Sequence, residues 1–155
     1  MRRLALGFAI LLGGCFAPPP PAERAADAVR ELNLAARFGR TELTSGLTSE
    51  HARKGFIARR KAWGKEVRVL DVELTGFDMP DRDRVRVEVD YAWTRMDEGR
   101  LRTTRVAQEW RDSGRGFRLV SEQRSGGDLG LFGEPVQVSE SAPRRDAQFA
   151  TKVID

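Results

Sequence analysis

The chain has 155 residues, with 27 Lys and Arg against 23 Asp and Glu, one histidine and one cysteine. A net charge of +4 with no basic block excludes the clustered stripe that nucleic-acid binding needs. One cysteine excludes an internal disulfide, and one histidine beside it excludes a zinc or copper site of usual composition.

At the front, Arg2 and Arg3 form a positive region, followed by an apolar run from Leu4 to Leu12 broken only by Gly7. That run has the length of a signal-peptide core and is too short to span a bilayer as a helix, which takes about 20 apolar residues. The segment Leu12-Gly13-Gly14-Cys15 resembles the lipobox of bacterial lipoproteins. The resemblance implies cleavage after Gly14, a diacylglycerol thioether on Cys15, and acylation of the new amino group. Two or more acyl chains, at about 0.8 kcal/mol per buried CH₂, anchor a protein durably. Phe16 stands where an aspartate would signal inner-membrane retention, so the expected place is the periplasmic face of the outer membrane of a Gram-negative envelope. Four prolines, Pro18 to Pro21, then favour an extended polyproline II spacer.

Residues 23–38 place Ala25, Val29, Leu32 and Ala36 at helical spacing, with Gly39 as a stop. TELTSGL, residues 41–47, reads as a turn or a single helical turn. A second helix starts at a Thr48 or Ser49 cap and carries Ala52, Phe56 and Trp63 on one face up to Gly64. The period then changes from 3.6 to 2. Strands are predicted at 66–77, 84–95, 101–111 and 116–124, joined by MPDRD, MDEG and DSGR turns. In the second strand Val85, Val87, Val89, Tyr91 and Trp93 alternate with charged or small residues, giving one dry face. In the first, a phase shift between Val69 and Leu70 predicts a bulge. The result is an α+β domain, with leading helices packed on a four-stranded antiparallel meander.

The expected divisions are a signal peptide at 1–14, the lipidated cysteine and spacer at 15–22, the domain at 23–126, and a glycine-rich loop with a polar tail at 127–155. In that tail Phe149 and Val153 are candidates for packing back on the domain.

The stretch ELNLAARFGRTELTSGLTSEHARKGF, with strands ending in YAWTR and AQEWRDSGRGFRLVSEQ, resembles the NTF2-like (SnoaL-like, cystatin-like) proteins over about residues 22–125. It is also similar to small NTF2-like lipoproteins of Gram-negative bacteria. The resemblance implies a curved sheet and helices enclosing a conical pocket. In enzymatic members, such as ketosteroid isomerase and scytalone dehydratase, an Asp, His or Tyr hangs into that cone, where burial shifts its pKa. Other members bind ligands or partners without catalysis.

The comparable residues here are His51, Asp71, Glu73, Asp90 and Tyr91. His51 falls in the first turn of the second helix, where the dipole disfavours a cation. Asp71, Glu73 and Asp90 alternate with apolar neighbours and are expected to face water. Tyr91 alone combines a polar group with the dry face, so no carboxylate is forced into the pocket by the pattern. Trp63, Tyr91, Trp93 and Trp110 are the candidate pocket lining. Asp78, Asp81 and Asp83 cluster in a turn with Arg82 among them, and no metal is assigned to them. Gly127, Gly130 and Gly133 lack the strand-before, helix-after context of a nucleotide loop. No cofactor is expected.

The sequence thus reads as a lipid-anchored, non-catalytic binding module for an envelope protein or a small apolar ligand. Two alternatives stand beside it: an isomerase or dehydratase using Tyr91 with Asp71 or Asp90, and a structural envelope subunit with a collapsed cone.

Overall fold

Helix α1 (Pro21–Arg37) begins on the last of the four prolines, whose fixed φ and missing N–H suit the first helical position. The computed structural model describes residues 18–136; the signal segment, Cys15, and the tail with Phe149 and Val153 lie outside the described residues. The expected spacer therefore gives up Pro21 and Ala22 to the helix. Ala25, Ala28, Val29, Leu32 and Ala36 form its buried stripe. Gly39, at φ 68°, closes it, with the Arg40 N–H donating to Ala35 O at 2.8 Å.

TELTSGL is a seven-residue helix, α2 (Thr41–Leu47), longer than the single turn expected. Thr48 bridges to Leu119, and the Ser49 N–H donates to Leu119 O at 2.8 Å, which ties this corner to the sheet. Ser49 then caps α3 (Glu50–Arg59), its side chain accepting from the Ala52 N–H at 3.3 Å. The helix stops at Arg59, short of the expected Trp63. Residues 60–66 instead make a turn in which the Gly64 N–H bonds Val67 O.

Strands β1 (Val67–Asp81), β2 (Arg84–Arg95), β3 (Leu101–Asp112) and β4 (Phe117–Gly127) form an antiparallel meander in the order β1-β2-β3-β4. Each expected strand is present, and the architecture is the expected α+β one. The bulge in β1 falls at Leu70, between the pairs Val69–Trp93 and Asp71–Ala92. In β2, Val85, Val87, Val89, Tyr91 and Trp93 are all buried. They face Trp110, Gln108, Val106, Thr104 and Arg102 across the ladder to β3.

Strand β4 departs from simple alternation. Phe117 and Leu119 are buried, which by parity would send Glu122 outward. Trp110 pairs with Leu119 while its neighbour Glu109 pairs with Ser121, so Val120 is an extra residue. That bulge reverses the parity, and Glu122 points inward opposite Gln108.

The core also runs past the expected boundary at Gly126. Leu131 is fully buried, Trp63 Nε1 donates to Leu131 O at 2.8 Å, and the Phe132 ring stacks on Trp63 at 6.5 Å. Strand β4 ends at Gly127, with φ 78°. A Cβ there would collide with Thr103 O and sit 2.9 Å from Thr104 Cα. Gly127→Ala is therefore expected to cost about 1–3 kcal/mol, from backbone strain and collision together. Gly126→Ala, where a Cβ would make only an ordinary 3.9 Å contact with Arg105, is the control and should cost far less. Thermal melts of the two variants make the comparison.

Candidate functional site

The space between α1, the turn after α3 and the inner face of the sheet holds a set of polar side chains that mostly satisfy one another. Asn33 sits in the apolar stripe of α1, one residue after Leu32. Its amide pairs reciprocally with Gln108 of β3: Nδ2 donates to Gln108 Oε1 at 3.1 Å, and Gln108 Nε2 donates to Asn33 Oδ1 at 2.9 Å. Asn33 Oδ1 also accepts the Tyr91 hydroxyl. Trp110 Nε1 reaches Gln108 Oε1 at 3.3 Å, and Trp93 Nε1 donates to Thr104 Oγ1 at 2.9 Å. Buried polar groups thus find partners inside the protein, as their desolvation requires.

Beside this network lies an ion cluster. The Glu122 carboxylate, 0% exposed, is held by Arg60 through both oxygens and by Arg59 Nε at 3.1 Å. The Arg60 guanidinium is 3.5 Å from the centre of the Phe56 ring and 4.8 Å from that of Trp63. Burial is the largest influence on the Glu122 carboxyl and pushes its pKa up. Arg60 and Arg59 together outweigh it and hold the group below its ordinary 4.5. Burial likewise pushes the Tyr91 phenol up to about 12.

The alternation pattern forces no carboxylate into the cone, yet Glu122 lies there. Its inward position depends on the Val120 bulge, which period-2 reading cannot see. Asn33 and Gln108 were also missed, although both lie at inward positions of their elements.

The other candidates lie elsewhere. His51 is exposed in the first turn of α3. Asp71 is 70% exposed and pairs with Arg37 at 3.1 Å; the bulge at Leu70 does not turn it inward. Glu73 is exposed. Asp90 takes a two-pronged bond from Arg105, both contacts at 2.7 Å, which keeps its carboxyl low. Tyr91 is buried, as are Trp93 and Trp110, and the Trp63 ring meets Tyr91 edge-on at 5.6 Å. Asp78, Asp81 and Asp83 are exposed around the β1–β2 turn, with Asp81 4.0 Å from Arg84. Among the described residues no cluster of His, Cys, Asp and Glu is placed to hold a metal ion, and no helix is long and apolar enough to cross a membrane.

A cleft of about 300 Å³ between α1 and the β1–β2 side of the sheet reaches Asn33 and Val89, but the interior beyond it is filled. Tyr91, Trp93, Trp110 and the Glu122 side chain have no exposed surface, so no water-sized space adjoins them. The arrangement has a carboxylate and a phenol at cone positions, each without exposed surface.

No family model matches the chain, and no curated protein does either. Solved structures do. The chain is similar to a crystal structure of an NTF2-like protein from Cytophaga hutchinsonii, at 14% identity and a TM-score of 0.51, over 64% of this chain and 92% of that one. It also aligns with the intermembrane space region of the chloroplast protein ARC6, at 14% identity and a TM-score of 0.48, over 69% of this chain and 98% of that one. With the helices and meander described above, the first of these likenesses gives the chain an NTF2-like α+β fold.

Proposed function

We propose that the protein is a lipid-anchored component of the Gram-negative envelope, held at the periplasmic face of the outer membrane through Cys15, whose NTF2-like domain is a non-catalytic binding module. One observation carries the non-catalytic part: the cone interior is occupied by the protein's own aromatic rings and by an ion cluster in which Glu122 is ionised and paired. A general base or acid must reach its substrate within hydrogen-bond distance, and a group with no exposed surface does not. Recognition is therefore assigned to the outside of the domain.

The anchor rests on Leu12-Gly13-Gly14-Cys15 and the prolines that follow. It is tested by metabolic labelling with palmitate and by fractionation. The wild-type chain is expected to take up label and sediment with outer membranes, and Cys15→Ser to do neither. A wild-type chain found unlabelled in the soluble fraction would contradict the anchor.

Glu122 and Tyr91 also give the isomerase or dehydratase reading a specific observation, since both occupy cone positions. That reading requires the cone to open to water and substrate, which the tyrosine titration at the end of the Discussion tests.

A further inference from the structure

A second space opens at the rim of the cone, where Phe56, Arg60 and Trp63 turn toward the surface. Between the α1–α2 corner and α3 there is a half-open cleft of about 460 Å³, to which no strand residue contributes. The volume falls within the range of small-molecule sites. Its walls are apolar: Ala36 from α1, Phe56, Ile57 and Ala58 from α3, and Trp63 from the turn that follows. Its charged lining residues are Arg40, Arg60 and Lys61, with no acid among them. Glu122, which faces Arg60 from beneath, is shared with Arg59, so this corner of the molecule keeps a positive excess.

Arg60 is only 8% exposed and its guanidinium is taken up by Glu122, so the exposed charges at the cleft are those of Arg40 and Lys61. Apolar walls with two exposed cations at the rim describe an amphiphile with one anionic head.

We propose that this cleft binds a small anionic amphiphile of the fatty-acid class. The hydrocarbon body lies against Phe56, Ile57 and Trp63, and the carboxylate lies between Arg40 and Lys61. The proposal deepens the binding-module reading and rests on it.

Sodium decanoate, decanol and sodium acetate are titrated calorimetrically into the Cys15→Ser chain, with native mass spectrometry giving the stoichiometry. Decanoate is expected to bind one to one, more tightly than decanol, and acetate not measurably. Arg40→Gln combined with Lys61→Gln should weaken decanoate about tenfold or more and leave decanol unchanged, since the charged contact alone is lost. Ile57→Gln, on a residue 42% exposed, should weaken both ten-carbon ligands. All variants replace exposed side chains, and circular dichroism verifies the fold. Three results would each overturn the site: no saturable decanoate binding by about 1 mM, equal affinity for decanoate and decanol, or indifference to the double replacement. Any of them removes this ligand while leaving the sealed cone, whose test is separate, untouched.

Discussion

Glu122→Ala is expected to lower the stability of the domain by about 3–5 kcal/mol, the effect of breaking a buried ion pair and leaving one charge without its partner. The reason is geometric. Arg60 is buried beneath Phe132 and against Phe56 and Trp63, and Glu122 is the acid that compensates it. A loss of this size is a large fraction of the 5–15 kcal/mol that holds a typical domain together. Replacing both partners, Arg60→Met with Glu122→Leu, should recover most of it, because an apolar pair of similar volume avoids the desolvation of two ions. The sign of the pH dependence follows from the depressed carboxyl. Its contribution is complete above the ordinary value of 4.5 and is lost as pH falls from there through the lower folded-state value. Urea unfolding of the wild type should therefore show an acid-labile component that both variants lack. A Glu122→Ala loss below about 1 kcal/mol would place the cluster at the surface, where ion pairs contribute little.

Val87→Asp is the second large effect. Val87 is 2% exposed at the centre of β2, between Val85 and Val89 and opposite Gln108. The substitution removes about 1.5–3 kcal/mol of apolar burial and places a carboxylate where no cation is within the row. A total above about 4 kcal/mol is expected, enough to leave the chain largely unfolded at room temperature. Glu88→Ala, one residue away on the other face, gives up a hydrogen bond from the Ser125 hydroxyl and a solvent-screened attraction to Arg105, and should cost about 1 kcal/mol or less. Equal, small losses in urea midpoints would mean that the inward face of β2 is wrong.

The alternation that makes Val87→Asp predictable was legible residue by residue. Val85 through Trp93 write their dry face into the sequence, and the phase shift at Leu70 announces its bulge. The helices were legible as stripes but not in their limits. Ser49 capped α3 as expected, whereas its end at Arg59 is set by a turn that ties Gly64 to Val67.

The candidate site was only half legible. Tyr91 stands on an unbroken alternation, and Gln108 stands between Val106 and Trp110 on another. Glu122 does not, because Val120 is inserted silently: nothing in the string LVSEQ distinguishes a bulge from regular strand, and one extra residue exchanges the faces. Arg60 lies beyond the end of α3, where helical periodicity gives no guidance. Leu131 escaped for a related reason. Leu129, Leu131 and Phe132, broken up by Gly130 and Gly133, are too few to set a period, and Leu131 is tied down by the non-local bond from Trp63 to its carbonyl.

We propose that the cone is closed on its own side chains and holds no catalytic site. The sequence contains one tyrosine, so the near-ultraviolet absorbance of phenolate reports Tyr91 alone. The phenol is pushed up to about 12 from an ordinary 10.0, chiefly by burial. A group whose folded-state pKa is raised contributes stability below its unfolded value and loses it as pH rises through the folded one. Between about pH 10 and 12 the domain should therefore lose about 3 kcal/mol from Tyr91. In an alkaline titration of the Cys15→Ser chain, followed by phenolate absorbance and near-ultraviolet circular dichroism, phenolate is expected to be absent at pH 10 and to rise near 12 as tertiary structure is lost. Ionisation with a midpoint near 10 and the fold intact would mean that water reaches Tyr91. The cone would then be open, and the enzymatic reading would replace this one.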